Sequence, residues 1–374
     1  MSGGEPNSGP DAPTRVAVVG LGWAARSIWL PRFERTAGWT VTALVDPDPR
    51  ARAEAPTVPG ARVLADPADL RPGEIDLAVV AVPNHAHTAV AGGLLRRGLP
   101  VFLEKPVCLN SVDALELAEA ERASGATLVA GSAARHRTDV RELFALAPGL
   151  GRIGHVHAAW QRASGVPGSG WFTRRATAGG GALVDLGWHL LDTVLPLLGD
   201  AGIEQVAGTV GDDFVNRAAA RAAWKADEQD GDDGPPGVGD VEDTARAFLV
   251  TEDGVSVSLH AAWASHAAHD TTLIEIHGAA GTAVLRCTFG FSPNRVAHST
   301  LTVSRDGLVN EIPLPEDPIG VEYDRQIAEL PRLLADPHAQ GMAVDEARRA
   351  VDVVERVYAS ARRSGARRTA AAPA

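Results

Sequence analysis

Gly20-Leu21-Gly22-Trp23-Ala24-Ala25 follows directly on the apolar run Arg15–Gly20 (RVAVVG) and opens a stretch, Ala24–Arg35, with a helical pattern. A strand that turns through glycine straight into a helix is the phosphate-binding turn of a dinucleotide fold. Glycine at 20 permits the tight turn, and glycine at 22 lets the backbone come close to a pyrophosphate. The positive end of the helix dipole then faces that anion. Alanine holds the third glycine position, which the pattern allows. Such a match is weak by itself and gains from Asp46, 26 residues beyond Gly20 at the end of a second strand-like run, Trp39–Asp46. A carboxylate there accepts from the adenosine ribose hydroxyls and repels a 2′-phosphate, so NAD is expected over NADP. The bland alternative is a glycine-rich turn beside a strand-end aspartate.

Working outward, apolar runs at Ile75–Pro83, Pro100–Glu104 and Thr127–Gly131 alternate with helical patterns at about 85–97 and 112–124. Near-continuous apolar strands separated by helices predict a parallel sheet covered on both faces, a Rossmann domain at 14–150. From 152 the pattern changes. HVHAAWQRA alternates like a half-exposed strand, a helix is expected over Ala182–Leu198, and strand-like runs follow at Ala245–Thr251, Val255–Trp263, Thr271–His277, Thr282–Cys287 and Thr300–Ser304. Short turns between them predict antiparallel hairpins, hence an α+β domain at 151–363 with an open, mostly antiparallel sheet. Helices at Val321–Leu334 and Val344–Arg362 close it. Residues 1–13 and 364–374 read as disordered ends, and Asp227–Asp243 as a charged surface loop.

Composition narrows the function. The chain has 374 residues, enough for two domains, and carries 35 − 47 = −12 charges, the wrong sign for a nucleic-acid binder or an anionic membrane. Two cysteines make neither a disulfide framework nor a cysteine-based zinc site. The first thirteen residues lack the basic and apolar regions of a leader, so a cytoplasmic location is expected.

Chemistry is carried by three further motifs. Val82-Pro83-Asn84-His85-Ala86-His87 and Glu104-Lys105-Pro106 end two successive strands, where open α/β sheets place ligands. Asn84 reads equally as a cap of the following helix. Lys105 is one of only two lysines, with Lys225, against thirty-three arginines. An ammonium suits proton handling where a guanidinium does not. In the third motif, Gly179–Asp192 (GGGALVDLGWHLLD), Asp185, His189 and Asp192 stand at i, i+4 and i+7 and share one helix face. Histidine takes a proton from a hydroxyl near neutral pH, and a neighbouring carboxylate orients it. A surface helix with a polar stripe is the alternative. A zinc site lacks a convincing third ligand, so no metal is expected.

The set GLGWAA, VPNHAH, EKP and GGGALVDLGWHLLD, in this order and spacing, resembles the Gfo/Idh/MocA family of sugar and cyclitol oxidoreductases, as does WQRASGVPGSGWFTRRATAGGG between them. The resemblance runs from about residue 14 to about 363. It implies a Rossmann domain joined to an α+β domain whose sheet makes a homodimer or homotetramer. Catalytic roles then fall on Lys105, Asp185 and His189. Cofactor contacts fall on Gly20, Gly22, Trp23, Ala24, Asp46, Pro83, Asn84, His87, Glu104, Lys105 and Trp171. Arg162 joins Lys105, Asp185 and His189 on the substrate, and the bond before Pro106 is often cis. Arg175 departs from the lysine that many relatives carry.

The expected reaction is reversible hydride transfer between NAD and a secondary carbinol of a sugar or cyclitol ring. His189 takes the proton, Lys105 stabilises the oxygen, and Asp185 supports His189. The rivals are a tailoring dehydrogenase for a glycoside or aminosugar in secondary metabolism, a bond cleavage begun by transient oxidation, and a nucleotide-binding protein without catalysis. Eight carboxylates in Asp227–Asp243 raise the further expectation of a cationic, amino-bearing substrate drawn by charge, against a loop that only solubilises.

Overall fold

The structure is a computed structural model that describes residues 12–168, 170–222 and 239–371. The first eleven residues, most of the expected amino-terminal arm, lie outside that range, as do 372–374 at the carboxyl end.

Six strands form the first sheet: β1 Thr14–Val19, β2 Trp39–Val45, β3 Arg62–Leu64, β4 Leu77–Val80, β5 Val101–Leu103 and β6 Leu128–Ala130. All pair in parallel, in the order β3-β2-β1-β4-β5-β6. Val16–Val19 and all of β4 and β5 are buried because helices cover both faces. The chain reverses its winding between β1 and β4, which opens a crevice at their carboxyl ends. Gly20 and the Val82-Pro83-Asn84 loop lie at those ends.

Eight strands form the second sheet: β7 Ile153–Gln161, β8 Ile203–Gly211, β9 Thr244–Thr251, β10 Ser256–Ala262, β11 Thr271–Gly278, β12 Gly281–Cys287, β13 Thr300–Arg305 and β14 Leu308–Ile312. The order is β14-β13-β12-β11-β7-β10-β9-β8, antiparallel throughout except for the β7–β10 pair. Edge strands β8 and β14 are absent from the sequence reading. Their side chains are mostly exposed, so no apolar alternation marks them. The last helix, Met342–Ala371, runs nine residues past the expected end, because its Ala- and Arg-rich close favours helix.

Two departures bear on the site. The helix expected over Ala182–Leu198 opens as a wide π-type turn, Leu183–Gly187, before the α-helix Trp188–Val194. The run Arg175–Leu198 has the length and hydropathy of a membrane span, yet 72% of its apolar window is buried inside the protein. The second departure concerns the acidic loop. Asp227, Glu228, Asp230, Asp232 and Asp233 lie outside the described residues, but Glu242 and Asp243 are buried, which corrects their reading as loop surface. Glu242 accepts from the Gly181 and Leu183 N–H groups, each at 3.0 Å, and from the Tyr358 hydroxyl at 2.8 Å. Asp243 accepts from the Phe214 and Val215 N–H groups at 2.5 and 2.7 Å. These carboxylates satisfy backbone donors that would otherwise be orphaned.

Candidate active site

A cavity of about 770 Å³ lies between the two sheets, lined from both. Its first end is made largely of backbone. Gly20 has φ +87°, and a Cβ there would stand 2.7 Å from the Ala81 carbonyl carbon. A Cβ on Gly22 would meet nothing within 4 Å, so that side of the turn opens on empty space where a pyrophosphate can approach. Asp46 accepts from the Leu21 N–H at 2.8 Å and from the Asp48 N–H at 2.9 Å. It therefore braces the glycine turn while lining the cavity, and its remaining lone pairs can meet ribose hydroxyls. The residues present fit a dinucleotide. Ala24 starts a π-type turn, Ala24–Trp29, that leads into the helix Leu30–Arg35.

Aromatic rings continue the wall. Trp23 meets Phe291 edge-on at 5.8 Å, and Phe291 stacks on Tyr323 at 5.4 Å and 16°. Trp29 donates its indole N–H to Glu104 Oε1 at 2.7 Å, and Glu104 Oε2 accepts from the Lys105 N–H at 3.0 Å. Burial pushes the Glu104 carboxyl above its usual range. Pro83 also lines the cavity.

Asn84 and His87, both expected as cofactor contacts, line the cavity and also tie its loops together. Asn84 does not cap the following helix; its Nδ2 donates to the Ala178 carbonyl at 3.0 Å and ties the first domain to the glycine run of the second. His87 is 1% exposed, with Nδ1 2.7 Å from the Pro106 carbonyl and Nε2 2.9 Å from that of Val82. A neutral imidazole carries one N–H, so the ring donates to one of these two carbonyls while it sits wedged between the two motif loops. Burial pushes its pKa down to about 4. The Lys105–Pro106 bond is cis.

The other end of the cavity is made of side chains from both domains. Lys105 Nζ donates to Asp185 Oδ1 at 2.5 Å, across 80 residues of sequence. Asp185 Oδ2 accepts from the Trp263 indole N–H at 2.9 Å. Although burial opposes ionisation, Lys105 and Arg162 hold this carboxyl well below the usual carboxylate range. Asp185 thus pairs with Lys105, not with His189 as the helix spacing suggests. His189 lines the cavity 5.5 Å from the Trp160 ring. Burial, with Lys105 and Arg162 assisting against Asp185, lowers its pKa to about 3, so its ring is neutral at physiological pH.

Arg162 is buried with its guanidinium 5.0 Å over Trp160, and Trp171 packs on Phe172 at 4.6 Å on the second-domain wall. Asp192 leaves the cavity altogether. It takes the Ser132 hydroxyl at 3.1 Å and Arg135 at 2.8 Å. Among the described residues no three His, Cys, Asp or Glu side chains gather as a metal site. Sequence reasoning missed Trp160, Trp263, Phe291 and Tyr323 as site residues; their only signal is an aromatic beside a strand or helix end.

The family model for an oxidoreductase family with an NAD-binding Rossmann fold matches residues 14–132, and that for the GFO/IDH/MocA C-terminal domain matches 140–284. The chain belongs to the Gfo/Idh/MocA family. It is an NAD-binding oxidoreductase of two joined domains, as its sequence resemblance implies. A protein of Amycolatopsis mediterranei strain S699, provisionally named UDP-kanosamine synthase oxidoreductase subunit, is 55% identical over 96% of this chain and 99% of its own length. D-glucoside 3-dehydrogenase of Escherichia coli K12 is 30% identical over 52% of this chain and 57% of its own. The crystal structure of GenD2 from gentamicin A biosynthesis, in complex with NAD, superposes with a TM-score of 0.73 at 25% identity, covering 96% of this chain and 97% of that one.

Proposed function

We propose that this Gfo/Idh/MocA protein is an NAD-dependent dehydrogenase that oxidises a secondary ring hydroxyl of a hexose carried on a nucleoside diphosphate. The observation that carries the chemistry is the meeting of Lys105, Asp185 and His189 in one cavity with the glycine turn. The nucleotide sugar is supported by the 55% identical relative, whose name joins an oxidoreductase subunit to a UDP-linked aminosugar. This favours the tailoring alternative over free sugars and cyclitols. A ketone formed at a ring carbon is also what an amine donor needs in order to install nitrogen there.

The buried, neutral His189 takes the hydroxyl proton as the carbon becomes a ketone. Lys105, held in place by Asp185, donates to the same oxygen and stabilises the negative charge that develops on it. NAD, when bound, supplies the acceptor for the hydride leaving the carbon. Trp160, Trp171 and Phe172 offer apolar faces to the sugar ring. Asp46 favours NAD over NADP through charge. The outer face of the second sheet, with Phe248 47% exposed, is the surface for a homodimer or homotetramer, which light scattering reads directly.

UDP-glucose, glucose, methyl glucosides, aminosugars and inositols, each supplied with NAD and with NADP, should separate the readings by NADH absorbance. Turnover with UDP-glucose and NAD at a kcat/KM at least ~10-fold above the rest is expected. Preference for an inositol or a free glucoside overturns the nucleotide-sugar assignment. Substrate conversion with no net NADH formed points to transient oxidation.

A further inference from the structure

We propose that Trp263 is a positioning residue for proton transfer: its indole N–H anchors Asp185 against Lys105 and keeps that carboxylate from turning to His189. Trp263 is fully buried immediately after β10, with its own backbone N–H on the Asp243 carbonyl at 2.8 Å. Its ring packs behind the cavity wall, 6.2 Å from Phe172. From there the indole donates to Asp185 Oδ2 at 2.9 Å while Lys105 holds Oδ1 at 2.5 Å. With one donor on each oxygen, rotation of the carboxylate breaks both bonds at once, and the indole N–H on its Oδ2 comes from a fully buried ring. The rigid strand end therefore fixes which partner the catalytic aspartate serves.

The consequence falls on His189, one helical turn along from Asp185. Three charges act on this ring: Lys105 and Arg162 oppose its protonation and Asp185 favours it. Losing the indole N–H leaves more negative charge on Asp185 and frees it to turn. Both changes strengthen the one interaction that favours the imidazolium, so the base fills with a proton at higher pH. A side chain that served only to pack would leave that titration where it is.

The inference rests on His189 as the proton acceptor, so the decisive readout uses no substrate. In the full chain Trp263 is replaced by Phe, and separately by benzothienylalanine, which keeps the indole shape with sulfur in place of N–H. The His189 ring resonance, assigned by its loss in His189→Gln, is followed by NMR from pH 4.5 to 8. In the parent the ring should stay neutral across this range. Both variants should show the start of an upward-shifted titration, by at least ~1 pH unit, with the acid limb of kcat/KM rising in parallel. An unmoved ring in the folded sulfur isostere overturns the anchoring role whatever the activity. A moved ring in a protein that oxidises no sugar leaves the anchor standing and removes His189 from catalysis.

Discussion

The two ends of the cavity are built from different materials. At the dinucleotide end the decisive groups are backbone: a glycine at φ +87°, a second whose Cβ direction is open, and N–H groups braced by Asp46. At the reacting end they are side chains brought from both domains, Lys105 from the end of β5 and Asp185 and His189 from a helix 80 residues later. Backbone-made sites depend on local conformation, so a short motif encodes them. Side-chain sites depend on which elements pack together, and the partner of each group is settled only by the fold.

The sharpest way to break that contrast is to remove side chains at the reacting end. Lys105→Ala and His189→Ala should each lower kcat by at least ~10²-fold while NADH binding, read by fluorescence titration, changes less than ~3-fold. A loss of NADH affinity as large as the loss of turnover would mean that the two ends are not separable.

At the backbone end the same division predicts two unlike glycines. Gly20→Ala forces a Cβ into the Ala81 carbonyl at a φ that alanine resists, so it should weaken NADH binding by ~10-fold or more and lower Tm by several degrees. Gly22→Ala meets no protein atom and should leave Tm within ~2 °C, yet still weaken NADH, because its methyl group points to the open side of the turn. Equal Tm losses in the two variants would show that Gly22 also serves the fold.

This division explains what could be read in advance. The parallel sheet, the fingerprint and the motifs that carry Lys105, Asp185 and His189 follow from strand-to-helix grammar and motif spacing. Local spacing misled where contacts are remote. Asp185 and His189 share a helix face, but the ion pair that Asp185 makes reaches across to Lys105, and its second bond to Trp263, 78 residues away in sequence, has no local signature. A run of acidic residues looks solvated, yet Glu242 and Asp243 are buried because they satisfy the N–H groups of Gly181, Leu183, Phe214 and Val215. His87 lines the cavity from a ligand loop, but its contact with the Pro106 carbonyl, 19 residues on, has no local signature.

Asp46 belongs to both materials, a side chain that braces backbone. Asp46→Ser should narrow the preference for NAD over NADP by ~10-fold in kcat/KM, since the charge facing a 2′-phosphate is gone. It should also loosen the turn at Leu21, so NADH affinity should fall in parallel. Unchanged cofactor choice with weakened NADH binding would leave Asp46 as a brace alone.

The smallest effect on turnover is expected at Asp192, which spacing places with Asp185 and His189 but packing assigns to the domain junction. Burial, opposed by Arg135, raises its pKa from 3.8 to about 6. The folded state therefore holds this proton more tightly than the unfolded chain does. The stability it contributes is full below about pH 4 and is lost as pH rises through about 6, a ceiling on the order of 3 kcal/mol. Asp192→Asn is neutral at every pH, and Arg135 keeps Glu346 at 2.7 Å as a partner. The variant's Tm relative to the parent should then rise between pH 4.5 and 7.5, while kcat stays within ~2-fold. A pH-independent difference would place the titrating carboxylate elsewhere, and a fall in kcat like that of His189→Ala would return Asp192 to the reacting end.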